Sequence, residues 1–313
     1  MVILEFMSTI IKYIKEPKKI ILYLMNKGVF KYLPDKKYIE LKYYLEMNEK
    51  LDLENPRDYS SKLQWLKLYD RNPMYTELVD KYESKKYVKR TIGEEYIVPT
   101  IGIYDKYEEI DFETLPNEFV IKTTHGCGGG EICTDKSKID YKMLKKEINK
   151  SLKNNYFYNH REYPYKNVKP RIIVEELLKN NDGSQLIEYN IFCFNGIPKY
   201  ILVCYGDKRK NRYNDYYDIN LKKLDVKIKY KTSNEIHKFP SEIKKMIELS
   251  KKLSKGIPSL RVDFYYVNNK IYVGELTFFH WAGFLKFEPK EENIKWGKEL
   301  QLPKGCKRKW KKH

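Results

Sequence analysis

The chain has 313 residues, 42% of them hydrophobic, and a formal net charge of +18 from 61 Lys+Arg against 43 Asp+Glu. That length supports two or three packed subdomains and excludes a small disulfide-stapled scaffold. The charge suggests an anionic partner, but Lys far outnumbers Arg, Tyr reaches 29 and Ala282 is the lone alanine, a pattern of AT-rich coding, and no nucleic-acid-binding module is legible.

The N-terminal run "MVILEFMSTIIKYIKEPKKIILYLMNKGVF" is apolar but broken by Glu5, Lys12, Lys15 and Glu16, so it reads as neither a signal peptide nor a membrane span. Its helical spacing fits either a basic amphipathic helix on the inner face of a membrane or a helical extension packed on the body. Residues 1–50 and 58–92 read as helical, with Asn72-Pro73 as a turn or helix start within the second region. "YIVPTIGIYD" reads as extended chain, and residues 119–134 as strand, glycine loop, strand. "KMLKKEINKSLKN" is a helix, and "RIIVEELL" a buried strand ending in acids. "QLIEYNIFCFNGIPKYILVCYGD" is a hairpin turning at Asn195-Gly196. "SEIKKMIELSKKLSKG" is an amphipathic helix closed by Gly256, and "SLRVDFYYVNNKIYVGELTFF" a second hairpin. The class is α+β, dominated by antiparallel strands. The five cysteines (Cys127, Cys133, Cys193, Cys204 and Cys306) are odd in number and form no CxxC pair, which makes a reducing cytoplasm the simplest home.

Chemistry concentrates in three places. In the last hairpin, Asp263 and Glu275 are acids in otherwise apolar strands, and an isolated buried carboxylate is costly. A two-residue turn at Asn268-Asn269 would pair Asp263 with Gly274 and send Glu275 to the other face. A three-residue turn through Lys270 would pair Asp263 with Glu275 and Arg261 with Thr277, bringing the two acids to ~5 Å between Cβ atoms. Two hard oxygen ligands so placed suit Mg²⁺ with a nucleotide phosphate completing the shell, and Arg261 could steady a phosphoryl group. The alternative is two surface acids on a wet face.

The second place is "FVIKTTHGCGGGEICTD", where Lys122 ends a strand before Gly128, Gly129 and Gly130. Glycine backbone can approach phosphates closely, yet the order matches neither GxxxxGK[ST] nor GxGxxG, and a generic hairpin loop is the plain alternative. His125 and Cys127 lack a legible base–orienter partner for nucleophilic work. The third place is "RIIVEELL", where backbone beside Glu175 and Glu176 is positioned to meet an adenine edge, with Glu188 downstream to reach a ribose.

Taken in order, the strand lysine with its glycine loop, V-E-E-L-L, R-V-D and G-E-L-T resemble the ATP-grasp superfamily. "VDKYESKKYVKRTIGEEYIVP" looks like its Asp-Lys helix. "KLQWLKLYDRNPMYTELVDKY", "REYPYKNVKPRIIVEELL", "FCFNGIPKYI" and "GELTFF" resemble the teichuronopeptide-biosynthesis (TupA-like) ATP-grasp family over about residues 55–290. The resemblance implies two α+β lobes clasping ATP and Mg²⁺. It implies a helical extension over 1–55, a region before the grasp over 56–118, lobes over 119–178 and 179–295, and a basic tail over 296–313. Lys81 and Lys122 would neutralise phosphate charge and Gly128 to Gly130 would cover it. Glu175, Glu176 and Leu178 would border adenine, Glu188 would bind ribose, and Asp263, Glu275 and Thr277 would hold metal beside Arg261.

The implied reaction is ligation of a small-molecule carboxylate to an amine or sugar substrate through an acyl phosphate. Its setting would be the biosynthesis of bacterial cell-surface polysaccharide, with a lipid-linked glycan as one acceptor form. A sugar kinase or a glycosyltransferase is the alternative, although no Asp-x-Asp occurs in the chain. Two departures stand out: Thr277 replaces the usual Asn after the metal Glu, and "FFHWAGF" replaces a Pro-Gly-Ser-Gly-like segment. Arg161, Glu162, Tyr165, Arg212 and Asn214 are acceptor candidates, with salt bridges or loop anchors as the alternative. Trp65, Tyr69 and Phe194 read as core.

Overall fold

A computed structural model describes residues 17–126, 130–206 and 211–304. The chain runs through helices α1 (Pro17–Asn26), α2 (Asp35–Met47), α3 (Tyr59–Tyr69), α4 (Met74–Val79) and α5 (Glu83–Ile92), then strands β1 (Thr100–Tyr104), β2 (Phe119–Thr123) and β3 (Gly130–Cys133). Helices α6 (Tyr141–Leu152) and α7 (Phe157–His160) precede β4 (Ile172–Glu175), β5 (Glu188–Phe194), β6 (Ile197–Tyr205), β7 (Tyr213–Asp218) and β8 (Lys227–Ile228). Helix α8 (Ile243–Leu253), β9 (Ser259–Val267), β10 (Lys270–Thr277), β11 (Phe287–Glu288) and α9 (Glu291–Glu299) complete it.

Two antiparallel sheets dominate. The first has the order β1-β4-β2-β3 and the second β10-β9-β5-β6-β7. Strand alternation explains their faces. Phe119, Ile121, Ile172 and Val174 pack with Leu144 and Ile148 of α6 on the back of the first sheet. Lys122, Ile173 and Glu175 therefore fall on its other face. In the second sheet Ile191, Val262 and Phe264 join Met246, Leu249 and Leu253 of α8 in the main core. This leaves Glu188, Asn190, Arg261, Asp263, Glu275 and Thr277 on the opposite face.

The extended chain of "YIVPTIGIYD" belongs to the first sheet as β1, which pairs with β4 across the chain. Strand β7 was missed in the sequence, because "RYNDYYD" places polar side chains where a strand pattern expects apolar ones. Asn214 and Asp215 are nevertheless buried there. The long helix expected over "NPMYTELVDKYESKKYVKRTIG" is split at Asp80. Its carboxylate accepts from the Tyr82 and Glu83 N–H groups at 2.8 and 3.2 Å and pairs with Arg171 at 2.9 Å, so it caps α5 instead of continuing α4. The expected tail boundary at 296 falls inside α9. Trp296 and Leu300 are fully buried, and Gly297 lies so close to Arg57 that a Cβ would stand 2.3 Å from its carbonyl oxygen.

The N-terminal helices pack on the body through Arg161. Its guanidinium donates to the Phe30, Lys31 and Leu33 carbonyls at 3.2, 2.8 and 3.3 Å, pairs with Asp35 at 3.0 Å and lies over the Tyr38 ring at 3.9 Å. Arg161 is therefore a structural clamp. No helix among the described residues is long and apolar enough to cross a membrane.

Candidate active site

The last hairpin turns in two residues. Val267 pairs with Lys270, and Asn268 and Asn269 both adopt left-handed backbone, φ 48° and 62°. The three-residue turn through Lys270 is thus corrected. Carried onward, the two-residue register would pair Asp263 with Gly274, but Gly274 is bulged out of the ladder. Beyond the bulge Glu275 pairs with Asp263 and Thr277 with Arg261. Glycine is required at that bulge, since a Cβ would stand 2.6 Å from the Tyr265 ring.

Arg261 grips Asp263 bidentately, Nε to Oδ1 and Nη2 to Oδ2, each at 2.6 Å, and Nη2 also donates to Thr277 Oγ1 at 3.1 Å. Its third nitrogen, Nη1, donates to His280 Nδ1. Burial pushes the Asp263 carboxyl up to about 6 against the opposing pull of Arg261. Burial would lower Arg261, but Asp263 outweighs it and raises the guanidinium further, so it stays charged. Burial, with Arg261 beside it, holds His280 neutral, well below the ordinary histidine range.

Glu275 is half-exposed and only loosely held, 3.8 Å from Lys81 Nζ. Lys81 itself donates to the Gly126 carbonyl at 2.6 Å, and its backbone N–H to Thr124 at 3.1 Å. The Asp-Lys segment, the glycine loop and the acidic hairpin therefore meet. Gly130 starts β3 where a Cβ would stand 2.4 Å from the Ile121 carbonyl oxygen. Gly128, Gly129 and Cys127 lie outside the described residues. His125 anchors the loop, its Nε2 within 3.0 and 3.1 Å of the Ser151 and Asn154 carbonyls.

On the facing sheet, Lys122 reaches Glu175 at 2.5 Å and Lys85 reaches it at 2.6 Å. Burial alone would raise Glu175, but Lys122 and Lys85 hold it below the usual carboxylate value. Lys85 was not singled out in the sequence. It lies one helical turn from Lys81, and this i,i+4 spacing was the signal available. Glu176 is exposed, with its N–H committed to the Pro99 carbonyl at 3.1 Å, and Leu178 sits half-buried on the connector that follows. Glu188 stands on the second sheet, 3.4 Å from Arg212.

Over the open face of the second sheet lies a cavity of about 680 Å³, whose walls include Glu162, Glu188, Arg212, Arg261, Glu275 and His280, while Lys81, Lys85 and Glu175 line a separate small cavity that shares Glu275 with it. Of the acceptor candidates, Glu162, Tyr165, Arg212 and Asn214 line the larger cavity and Arg161 does not. Behind the wall, buried Lys67 donates to the Gln64 side chain and to the His160 and Ala282 carbonyls at 3.0, 3.0 and 2.6 Å. Burial pushes Lys67 down and the neighbouring Glu162 up. Trp65 and Phe194 are core residues, and Tyr69 packs against that core. Cys133, Cys193 and Cys204 are buried and unbridged.

The donor set can be tested against Mg²⁺. Asp263 Oδ1 keeps an acceptor site beyond the one Arg261 uses, Oδ2 also accepts a long contact from Thr277 Oγ1 at 3.5 Å, and Glu275 offers two oxygens. Among the described residues no group of three or more His, Cys, Asp or Glu could hold a metal by itself. The arrangement fits a hard cation that takes one or two carboxylates and fills its shell with water and phosphate oxygens.

Two antiparallel sheets, with Lys122 and Glu175 on one, an acidic hairpin on the other, and Lys81 and Lys85 from the helical segment between Glu175 and Glu275, define an ATP-grasp fold. The TupA-like ATP-grasp family matches residues 61–301, and the chain belongs to that family. No protein of curated function matches the sequence. Among solved structures, D-alanine–D-alanine ligase from Bacillus anthracis complexed with ATP aligns at 16% identity and a TM-score of 0.38, over 70% of this chain and 56% of that one. The Helicobacter pylori D-alanine–D-alanine ligase aligns at 16% and 0.39, over 78% and 70%. The ATP-grasp ligase PsnB complexed with minimal precursor, Mg and ADP aligns at 11% and 0.37, over 70% and 57%. This chain thus spans little more than half the length of the first and third of these ligases.

Proposed function

We propose that the protein is an ATP-dependent ligase that joins a carboxylate to an amine through an acyl phosphate, in the assembly of a cell-surface polysaccharide. The observation that carries this reading is that Lys81 joins the glycine loop at Gly126 to Glu275, which stands opposite Asp263 and lines the cavity with Arg261. Family membership supports the ATP half of the reading. Lys81, Lys85 and Lys122 would receive the phosphates of ATP, with Gly128 to Gly130 covering them. Glu175, Glu176 and Leu178 would border the base and Glu188 the ribose. Asp263 and Glu275 would hold Mg²⁺ with Thr277 beside them, and the metal when bound would supply positive charge against the phosphate oxygens.

The chain's own residues do the remaining work. Arg261 keeps one N–H of Nη1 beyond its bonds to Asp263, Thr277 and His280, and this fixed donor and its charge would serve where the transferring phosphoryl group gains charge. The cavity keeps the acyl phosphate from water and orients the amine, so catalysis is positioning plus electrostatics. The exposed Tyr23 of α1 and Lys27, Lys31 and Tyr32 of the turns that follow it suit a peripheral contact with the inner membrane face, where a lipid-linked acceptor would lie.

The deciding experiment is ADP release from Mg·ATP against a panel of amino acids and uronic-acid glycans, with hydroxylamine as trap. Hydroxamate formation supports the ligase. A phosphosugar product would instead identify a kinase, and stabilisation by UDP-sugars in place of ATP a glycosyltransferase.

A further inference from the structure

One donor in the cavity has no partner within the described residues. His280 is buried, its Nε2 is unpaired, and its ring lines the cavity beside Arg261. The tautomer follows from the neighbour. A guanidinium nitrogen can only donate, so Nδ1, which faces Arg261 Nη1, must be the accepting nitrogen. The ring proton of neutral His280 then sits on Nε2, a buried N–H without an acceptor, which is costly unless a ligand oxygen satisfies it.

The fold goes to some length to hold this ring in place. Trp281 and Ala282 follow it in left-handed backbone, φ 48° and 52°. Such backbone is strained for residues with a side chain and persists only where the surroundings over-determine it. Those surroundings are buried groups of α3. Lys67 and Gln64 donate to the Ala282 carbonyl at 2.6 and 3.1 Å, and Gln64 to that of Gly283 at 2.9 Å. The ring meets Phe192 edge-on, at 5.2 Å between centroids. Asn190, also buried and lining the cavity, leaves its Oδ1 unpaired, so an acceptor accompanies the donor.

We infer that His280, held at Nδ1 by Arg261, is a catalytic hydrogen-bond donor through Nε2 to the acyl oxygen of the carboxylate substrate; this rests on the ligase reading. When the amine attacks the acyl phosphate, its lone pair forms the C–N bond and the carbonyl π pair moves onto oxygen. Nε2–H bonds that oxyanion, while Arg261 on the far side of the ring holds Nδ1 as the acceptor. The pair returns as the C–O bond to phosphate breaks, phosphate leaves with the bonding electrons, and the amine proton passes to it. Asn190 Oδ1 would accept from an N–H or O–H next to the same carboxyl group, which favours amino or hydroxy acids as donors.

Two substitutions separate the ring's two contacts. His280→Asn keeps an acceptor near Nδ1 for Arg261 but removes the distal donor, whereas His280→Gln keeps a distal donor. His280→Asn should lower kcat about 10²-fold or more with KM for ATP little changed, as for loss of an oxyanion donor, and His280→Gln should lose clearly less. Histidine ¹⁵N NMR of the wild-type protein, assigned by the signal missing from His280→Gln, should show the Nε2–H tautomer. An Nδ1–H tautomer, wild-type turnover in His280→Asn, or equal losses in the two variants would overturn the assignment. The ligase reading fails separately, if wild-type protein releases no ADP with any carboxylate, and the tautomer is measurable in either case.

Discussion

Asp263 and Glu275 stand directly opposite each other on β9 and β10 because one residue between Val273 and Glu275, Gly274, is left out of the pairing. Without that bulge a two-residue turn would direct the acids to opposite faces of the sheet. The bulge is therefore what assembles the acidic pair, and the turn alone does not.

Gly274→Ala tests the bulge. The new Cβ would meet the Tyr265 ring at 2.6 Å, and the ring has no free end to swing away. Overpacking of this kind costs about 1–3 kcal/mol. Urea denaturation should resolve a loss of that size, and an unchanged midpoint would show that the bulge tolerates a side chain.

Glu275→Gln tests the proposed metal role more cleanly than Asp263→Asn, because Asp263 is Arg261's bidentate partner and its loss would strand a buried charge. Among the described residues, the ion pair of Glu275 is the loose 3.8 Å contact to Lys81. The expected result is near-native thermal stability with turnover reduced on the order of 10²-fold or more. Chelation of divalent metal should abolish wild-type turnover, and activity that survives both would refute the assignment.

Glu175 predicts an acid limb in stability. Its folded-state pKa is depressed below 4.5, after Lys122 and Lys85 overcome the upward push of burial. Its contribution is thus present above that ordinary value and lost as pH falls through the depressed one. Glu175→Gln should be less stable than wild type at neutral pH. It should also change less between about pH 5 and pH 3, as read from denaturant midpoints. Parallel curves would show that the two lysines do not stabilise the carboxylate.

Lys67 and Glu162 are expected to behave as a unit. Replacing Lys67 with Met strips donors from three oxygens and leaves buried Glu162 without its main cationic neighbour, at a cost of about 3–5 kcal/mol. Adding Glu162→Gln should recover part of that loss. Strict additivity in the double-mutant cycle would mean the two do not interact.

Much of this was legible from residue types in order. The Asn195-Gly196 hairpin, the strand before the glycine loop and the Arg261–Asp263 strand were readable because alternation and turn chemistry are local. The reason for the Asp263–Glu275 register was not readable, since a bulge is set by what packs against it, here Tyr265. The break at Asp80 was hidden for a similar cause. Its partner Arg171 is 91 residues away, and nothing near Asp80 announces it. Lys85 escaped notice because its worth depends on Glu175 arriving from another strand. His280 appeared only as a bulky departure, and its tautomer needed the position of one arginine nitrogen.

The hairpin's tip has a further consequence. Asn268 donates from Nδ2 to the Lys179 carbonyl at 3.1 Å and accepts from the Asn181 N–H at 2.9 Å. Both partners belong to the connector that leaves the end of β4. Asp263 lies five residues back along the same strand, roughly 16 Å at the rise of an extended chain. The connector, the tip and Asp263 thus form a single stiff beam, pinned at one end. From the connector through the tip to Asp263 the path is one continuous strand with no loop in it, whereas Glu275 is reached only across the Gly274 bulge.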